Sequence, residues 1–393
     1  MSLDLPSLTP QLTQAGRTAA KQLSRLTKLL PQVEAALEAV AQMDREALAL
    51  RLQRAGTRWS GAAPTSEDPA AAFPVPDFED RYRLVAADGS QVYPDRHGAA
   101  LYYLINIGSL QMQPGSGRAP TTRSQPELFH SPDDLYDETG SILGAEYING
   151  ERDVAEMAEL ARLAAKEQPG DCLALLDNGL MLWLMLQVRD QPRARAEDLI
   201  SEYLEQMSRL QGAGAALAGI IDRPRHGNVL ALAHLGELPQ NSINDSTLRA
   251  NPYRGLSDAA LFLRHLKVGE RSAAFKYASP VNERFEEEGH QILFFYLRTA
   301  EEVLLRVEIP QWVFHSSQLL KLVHAGIMDD SRSSGGYPYC LARAHELAVV
   351  TSQERQQLDQ MMATSLARHG LTPRASTKAT TKTWLGGRRS HRL

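Results

Sequence analysis

Two stretches of the chain, LVAADGS and LALLDNG, each run through at least four apolar residues into an aspartate, Asp88 and Asp177, and then into small turn residues. Apolar runs bounded by Gly, Asn and Ser read as buried strands, so each carboxylate is expected at a strand end, at the mouth of a sheet. Hydrolysis of a phosphodiester by divalent ions needs carboxylates in such rigid places, because two ions must be held about 3.5 to 4 Å apart to activate water and stabilise the leaving oxygen. For either aspartate alone an ordinary turn is the simpler reading; the repetition points to a site. Between them, Glu151 to Lys166 (ERDVAEMAELARLAAK) sets Val154, Met157, Ala161 and Ala164 on one helical face. Glu156 and Glu159 on this helix can each lean a carboxylate toward the strand ends. A glutamate on an amphipathic helix is more often a solvated face residue, and spacing does not choose between the two.

The elements that must position these groups follow an α/β order. Arg83 to Val92 and Ala99 to Ile107 read as a strand hairpin, followed by a polar loop, the helix just described and a strand at Cys172 to Asp177. Beyond lie a helix over Glu197 to Leu210, a strand at Ala218 to Asp222, strands at Gln291 to Leu297 and Leu304 to Ile309, and a helix near Leu341 to Val349. Ahead of this core, Val33, Leu37, Val40, Ala41 and Leu48 predict one amphipathic helix over Gln32 to Arg54, separated by Pro31 from a shorter helical stretch around Leu23, Leu26 and Leu30. Residues 1–55 are therefore expected to be an N-terminal helical appendage, and 56–80, rich in Ala, Pro, Gly and Ser, a linker or loop. Residues 81–350 are the expected catalytic domain, 351–371 a C-terminal helix, and 372–393 a basic tail without apolar pattern, expected to be disordered.

Composition narrows the class. The chain has 393 residues, 43% of them hydrophobic, and no apolar run approaching a membrane span. The start, MSLDLPSLTPQLTQ, lacks a basic segment followed by an apolar one, so a cytoplasmic protein without membrane contact is the expectation. Cys172 and Cys340 sit in apolar segments without finger-type spacing, which argues against a structural zinc site or a disulfide framework. A net charge of −5 counts against wrapping nucleic acid by bulk electrostatics, although a local basic surface beside an acidic site is compatible with it.

Eight segments in order, VAADGSQ, ERDVAEMAEL, LALLDNGL, AGIIDRPR, LKVGERS, ILFFYLR, RVEIPQW and GGYPYCLARAH, resemble the pattern of the NurA family between about residues 82 and 350. The resemblance implies an RNase H-like mixed sheet flanked by helices and a deoxyribonuclease, usually manganese-dependent with Mg²⁺ as the alternative. It further implies a 5′–3′ exonuclease, with single-strand endonuclease activity as a further expectation, that forms a homodimer and processes broken DNA ends with a HerA-type hexameric ATPase. By the same resemblance Tyr337 and His345 belong to the active site, His345 as metal ligand or proton carrier, beside Asp88, Asp177 and a helical glutamate. Glu156 is preferred to Glu159 because it stands four residues after Arg152, in the family's RxxxE arrangement. Where the family commonly has Asp-Gly-Ser-Leu, this chain has Asp177-Asn178-Gly179-Leu180. Arg223 and Arg225 after one strand, and Arg254, Lys267 and Arg271 around PYRGLSDAALFLRHLKVGERS, are candidate phosphate contacts. For each of them a solubilising charge is the plainer reading, and KVGERS and RVEIPQW also read as structural segments.

Two readings from other classes compete. A sugar kinase or actin-like phosphotransferase also uses an Asp-Gly turn to meet phosphate, but wants glycine-rich loops in two lobes; GGYP and QGAGAALAG have no second-lobe repeat. A non-catalytic partner of a DNA translocase would tolerate loss of a ligand, whereas Asp88, a helical glutamate, Asp177 and His345 are all present.

Overall fold

The computed structural model describes residues 4–56, 59–78, 82–165, 172–182, 184 and 194–371. The basic tail at 372–393 therefore lies outside the described residues. The strands are β1 (Ala62–Pro64), β2 (Ala72–Phe73), β3 (Arg83–Val92), β4 (Tyr103–Met112), β5 (Thr121–Phe129), β6 (Cys172–Asp177), β7 (Ala216–Ile221), β8 (Arg271–Ser272), β9 (Phe275–Tyr277), β10 (Ile292–Ala300) and β11 (Val303–Pro310). The described helices that matter below are α1 (Leu5–Thr27), α2 (Leu30–Ala41), α3 (Arg45–Ala55), α4 (Ala145–Ala164), α5 (Ala194–Gly212), α6 (Asn228–Glu237), α7 (Ser317–Ser331), α8 (Tyr339–Ala348) and α9 (Ser352–Arg368). None of the described helices is long and apolar enough to cross a membrane. The chain divides into two compact units, Met1–Glu79 with Asn178–Met181 and Ala216–Tyr339, and Asp80–Asp177 with Leu182–Ala215 and Cys340–Leu393.

In the first unit β1, β9, β10, β11 and β7 lie in that order, every pair antiparallel, with β8 joining β10 to β2. The single helix expected over Gln32 to Arg54 is two. Asp44 accepts hydrogen bonds from the amides of Glu46 and Ala47, a side-chain cap that starts α3 afresh after α2 ends at Ala41. The helical stretch before Pro31 is much longer than its apolar core suggested, because α1 covers 23 residues of which Leu26 is the buried one. The apolar stripe of α2, Val33, Leu37 and Val40, is buried in one core with Leu232 and Leu235 of α6 and with Phe275, Phe294 and Tyr296 of the sheet. Helices α2 and α3 are thus built into this unit's own core; α1 leaves Leu5, Leu12 and Leu23 exposed. The segment read as a linker carries β1 and β2, whose pairing with β9 and β8 the Ala- and Pro-rich composition concealed.

In the second unit β3, β4 and β5 form an antiparallel meander, α4 crosses over, and β6 pairs in parallel with β3. The order β5-β4-β3-β6 with a crossover helix is RNase H-like, as the resemblance implied. Apolar side chains on successive residues bury both faces of β3 and β6, as a sheet covered on both sides requires. The end of α4 is held by Arg83, whose guanidinium donates to the carbonyls of Leu163 and Ala164 at 2.5 and 3.0 Å, satisfying acceptors that a helix terminus leaves open. Strand β5 was read as a polar loop. It is an edge strand whose side chains are almost all exposed, so TTRSQPELF lacks the apolar alternation that reveals a half-buried strand.

Candidate metal centre

The parallel register pairs Ala86 with Leu175 and Ala87 with Leu176, so Asp88 and Asp177 stand one step beyond the last paired residues, side by side. The expectation of two strand ends holds for Asp177 only. Strand β3 continues to Val92 because β4 goes on pairing with it, Asp88 opposite Gly108 and Val92 opposite Leu104. Asp88 is fixed instead at the point where β3 loses its parallel neighbour, and it is buried.

Successive strand residues face opposite sides of a sheet, and this alternation sorts the remaining groups. On the side of Asp88 lies α8. A Cβ on Gly108 would stand 2.3 Å from the carbonyl oxygen of Ala344 and 2.4 Å from the amide nitrogen of Ala348, so the helix rests directly on the strand where a side chain is missing. Its last carbonyls are taken up by the sheet: Asn106 donates to the oxygens of Leu347 and Ala348 at 3.1 and 2.8 Å, and Ser90 Oγ donates to that of Ala348 at 2.5 Å. Docked this way, α8 brings His345 Nδ1 to 2.7 Å from Asp88 Oδ2. The imidazole keeps 59% of its side-chain surface exposed. Gly108, Asn106 and Ser90 escaped the sequence reading, although a glycine inside an apolar strand, in NIGSL, is the usual mark of a close backbone approach.

On the side of Gly89 lies α4. A Cβ there would fall 2.6 Å from Glu156 Oε1, so the glycine is what lets a buried carboxylate reach the strand beside Asp88. Burial drives the Glu156 carboxyl well above the usual carboxylate range, Arg152 acts against that, and Asp153, Asp88 and Asp177 add to it. Glu159, the alternative, is engaged elsewhere. Its carboxylate accepts from Arg162 at 2.6 and 2.7 Å and from Ser109 Oγ at 2.6 Å; burial acts to raise it, and these partners with Arg123 hold it below its ordinary value.

Asp88, Asp177 and His345 each offer a ligand atom within 4.8 Å of the others, the single such group of His, Cys, Asp and Glu among the described residues. Two carboxylates and an imidazole, rigidly held and open on the histidine side, fit a divalent cation. The nitrogen donor suits Mn²⁺ better than Mg²⁺, which prefers oxygen and its own water. Glu156 is not within that group, but both aspartates help to push its carboxyl above the usual carboxylate range.

The turn after Asp177 belongs to the first unit. Asn178 takes φ 93°, its amide donates to the Ile220 carbonyl at 2.9 Å, and the Leu180 amide donates to Glu308 Oε2 at 2.9 Å. Gly179 admits no side chain, since a Cβ would meet that same Oε2 at 2.6 Å. Glu308 is paired with buried Arg306 at 3.0 Å, so RVEIPQW is a structural segment that holds the Asn178 to Leu180 stretch of its own unit.

Tyr337 lies in the first unit, half-buried, with Ser334 Oγ donating to its carbonyl at 2.5 Å. Arg223, Arg225, Arg254 and Lys267 are exposed in that unit. Arg271 is not available to DNA. It is buried, its guanidinium makes two hydrogen bonds to Glu67 at 2.7 and 2.9 Å, and it lies 4.0 Å over the Phe73 ring. An arginine that anchors β2 to β8 is spoken for, which its position in KVGERS did not reveal.

The NurA domain profile matches residues 82–350. The crystal structure of the NurA nuclease from Sulfolobus solfataricus is 13% identical and is similar over 91% of this chain and 98% of that one, with a TM-score of 0.52; at this identity the likeness is one of fold. A crystal structure of NurA with manganese is 14% identical over 88% of this chain and 98% of that one, with a TM-score of 0.37. No curated protein matches the chain.

Proposed function

The chain belongs to the NurA family, and from that premise we propose that its RNase H-like unit is a metal-dependent deoxyribonuclease that uses Mn²⁺ in preference to Mg²⁺. The observation that carries this reading is the clustering of Asp88, Asp177 and His345 within 4.8 Å at the point where β3 and β6 part.

A divalent cation at such a site supplies Lewis-acid activation of water and neutralises charge on the phosphodiester. The chain's own residues do the rest. Asp88 and Asp177 present fixed negative charge from adjacent strands, so no reorganisation is needed when a cation arrives. His345, whose Nδ1 lies 2.7 Å from Asp88 Oδ2 and whose ring is largely exposed, can ligate or carry a proton. Glu156 adds a third carboxylate across Gly89. Exposed Arg223, Arg225, Arg254 and Lys267 of the first unit are candidate phosphate contacts.

The 5′–3′ exonuclease polarity, single-strand endonuclease activity, homodimer and HerA-type hexameric ATPase partner that the family implies, together with a cytoplasmic role in DNA-end repair, are part of the same proposal. The exposed Leu5, Leu12 and Leu23 of α1 support an assembly contact, since α2 and α3 have no free stripe. End-labelled single- and double-stranded DNA incubated with purified protein and Mn²⁺, Mg²⁺ or EDTA tests the chemistry. We expect cleavage with Mn²⁺ and none with EDTA; cleavage in EDTA, or none with either ion, overturns it. Light scattering of the protein alone and co-elution with the cognate ATPase test the assembly.

A further inference from the structure

The face of α4 that meets β3 carries Asn149, Arg152, Asp153 and Glu156, residues spaced at three, four and seven and therefore stacked on one side of the helix. Arg152 is the hub. Its Nε and Nη2 both donate to Asp153 Oδ1, at 3.2 and 2.5 Å, its Nε also lies 3.2 Å from Glu156 Oε1 as an ion pair, and its Nη1 donates to Gln91 Oε1 at 3.2 Å. Gln91, three residues beyond Asp88, is itself fixed: its amide donates to Tyr93 Oη at 2.8 Å and to Asn149 Oδ1 at 3.2 Å, and Tyr93 Oη donates to Asn149 Oδ1 at 2.7 Å. The stem of Arg152 lies against the same glycine as Glu156, for a Cβ on Gly89 would meet Arg152 Cγ at 2.7 Å.

We propose that Arg152 is a positioning residue for the metal centre, a planar fork fixed by Asp153 and Gln91 whose charge holds the Glu156 carboxylate against Gly89 so that it stands ready as a further oxygen ligand beside Asp88 and Asp177. The assignment rests on the metal-dependent reading above. Three features favour it over a surface charge or a phosphate contact. The side chain is 21% exposed. One edge of its fork bonds the helix and the other the strand, so it sets the distance between the two elements that bear Glu156 and Asp88. Arg152 holds Oε1, and no hydrogen bond is made to Oε2 among the described residues, which leaves that oxygen for a ligand. A lysine at this place would keep the charge and lose the fork.

The test is Mn²⁺ affinity, measured by electron paramagnetic resonance of free Mn²⁺ on the full chain without DNA, for wild type, R152M, R152K, Q91L, E156Q and the double variant R152M/E156Q, each checked for folding by circular dichroism. Partners outside the first coordination sphere are typically worth about 10- to 100-fold in metal affinity, so R152M is expected to weaken binding at least about tenfold. R152K is expected to recover little of that loss and Q91L to show a smaller loss of the same sign. In the E156Q background R152M should add almost nothing, because two residues acting through one contact are not additive. Wild-type affinity in R152K, or in R152M, overturns the proposal, as does a full independent loss in the double variant. If R152M fails to fold, R152K and Q91L decide. Wild type that binds no Mn²⁺ refutes the metal reading itself, an outcome distinct from a wild type that binds and an Arg152 series that follows it unchanged.

Discussion

His345 Nδ1 and Asp88 Oδ2 are 2.7 Å apart although 257 residues separate them in sequence. Together with the bond from Ser90 Oγ to the Ala348 carbonyl, this contact ties α8 to β3. A carboxylate that fixes a histidine in this way is the arrangement by which ligating histidines are usually held. The expected consequence is that D88N disturbs two donors at once, its own and that of His345, whereas D177N removes one. Both variants should fold, and both should lose DNA cleavage by at least about a hundredfold at saturating Mn²⁺. H345A, which leaves both aspartates, should lose less than D88N. Cleavage rates against Mn²⁺ concentration for the three proteins check the order; D88N with near-wild-type turnover removes Asp88 from the site.

The seat of α8 on Gly108 makes a second prediction. G108A inserts a methyl group where backbone atoms lie at 2.3 and 2.4 Å, and a backbone cannot step aside as a flexible side chain can. The helix must lift, carrying His345 away from Asp88. We expect a loss of roughly 1–3 kcal/mol in stability by the overpacking mechanism and a cleavage defect at least as deep as that of H345A. An alanine variant with wild-type melting temperature and activity shows that α8 does not depend on this contact.

The two aspartates were legible because a buried strand that ends in polar turn residues has a composition of its own, and because the device occurs twice. Asp88 was nonetheless read as a strand end, since the ladder with β4 that carries β3 on to Val92 leaves no mark in VAADGSQV. His345 and Tyr337 came from family resemblance alone: on an Ala- and Leu-rich helix a histidine carries no signal of which strand it will meet. The preference for Glu156 over Glu159 came from the RxxxE resemblance; the contacts that set them apart in space, Gly89 beside the first and Ser109 beside the second, are long-range facts. Arg271 looked like a solvent charge because its partner Glu67 is 204 residues away, in a stretch whose composition read as a linker.

Glu156 should be costly to the empty protein and useful to the loaded one. Its carboxylate is buried beside three other acidic groups, with Arg152 as the opposing charge, and such sites commonly trade stability for function. E156Q keeps the shape and removes the ionisable carboxyl. We expect its metal-free melting temperature to rise by a few degrees, on the order of 1 kcal/mol, while Mn²⁺ affinity falls. The stabilisation that Mn²⁺ confers on wild type through mass action should shrink in the variant. Melting curves with and without Mn²⁺ measure both; a variant that melts lower in EDTA and is stabilised by Mn²⁺ as much as wild type refutes the role.

The last prediction concerns acid. His324 on α7 is 2% exposed, and its Nε2 lies 2.8 Å from the Gly269 carbonyl. Burial lowers its pKa to about 4, with Arg271 adding to the effect and the bond to Gly269 opposing it. The unfolded chain titrates near 6.5, so between that value and about 4 the unfolded state binds the extra proton and the folded state does not. Stability from this group is therefore fully present above pH 6.5 and drains away as the pH falls toward 4, by about 2 kcal/mol at pH 5. His226, lowered to about 4 by burial and by Arg306, contributes in the same direction. The glutamine variant H324Q keeps an amide donor for Gly269 without a titrating ring. Its melting temperature should match wild type or fall slightly at pH 7.5 and should decline less steeply between pH 6.5 and 5. Because Gly269 and Arg271 lie in the first unit, Mn²⁺ affinity at pH 7.5 should be the same in both proteins, which separates this acid sensitivity from any protonation at the metal centre. Equal slopes of melting temperature against pH for wild type and H324Q would show that His324 takes up its proton without cost to the fold.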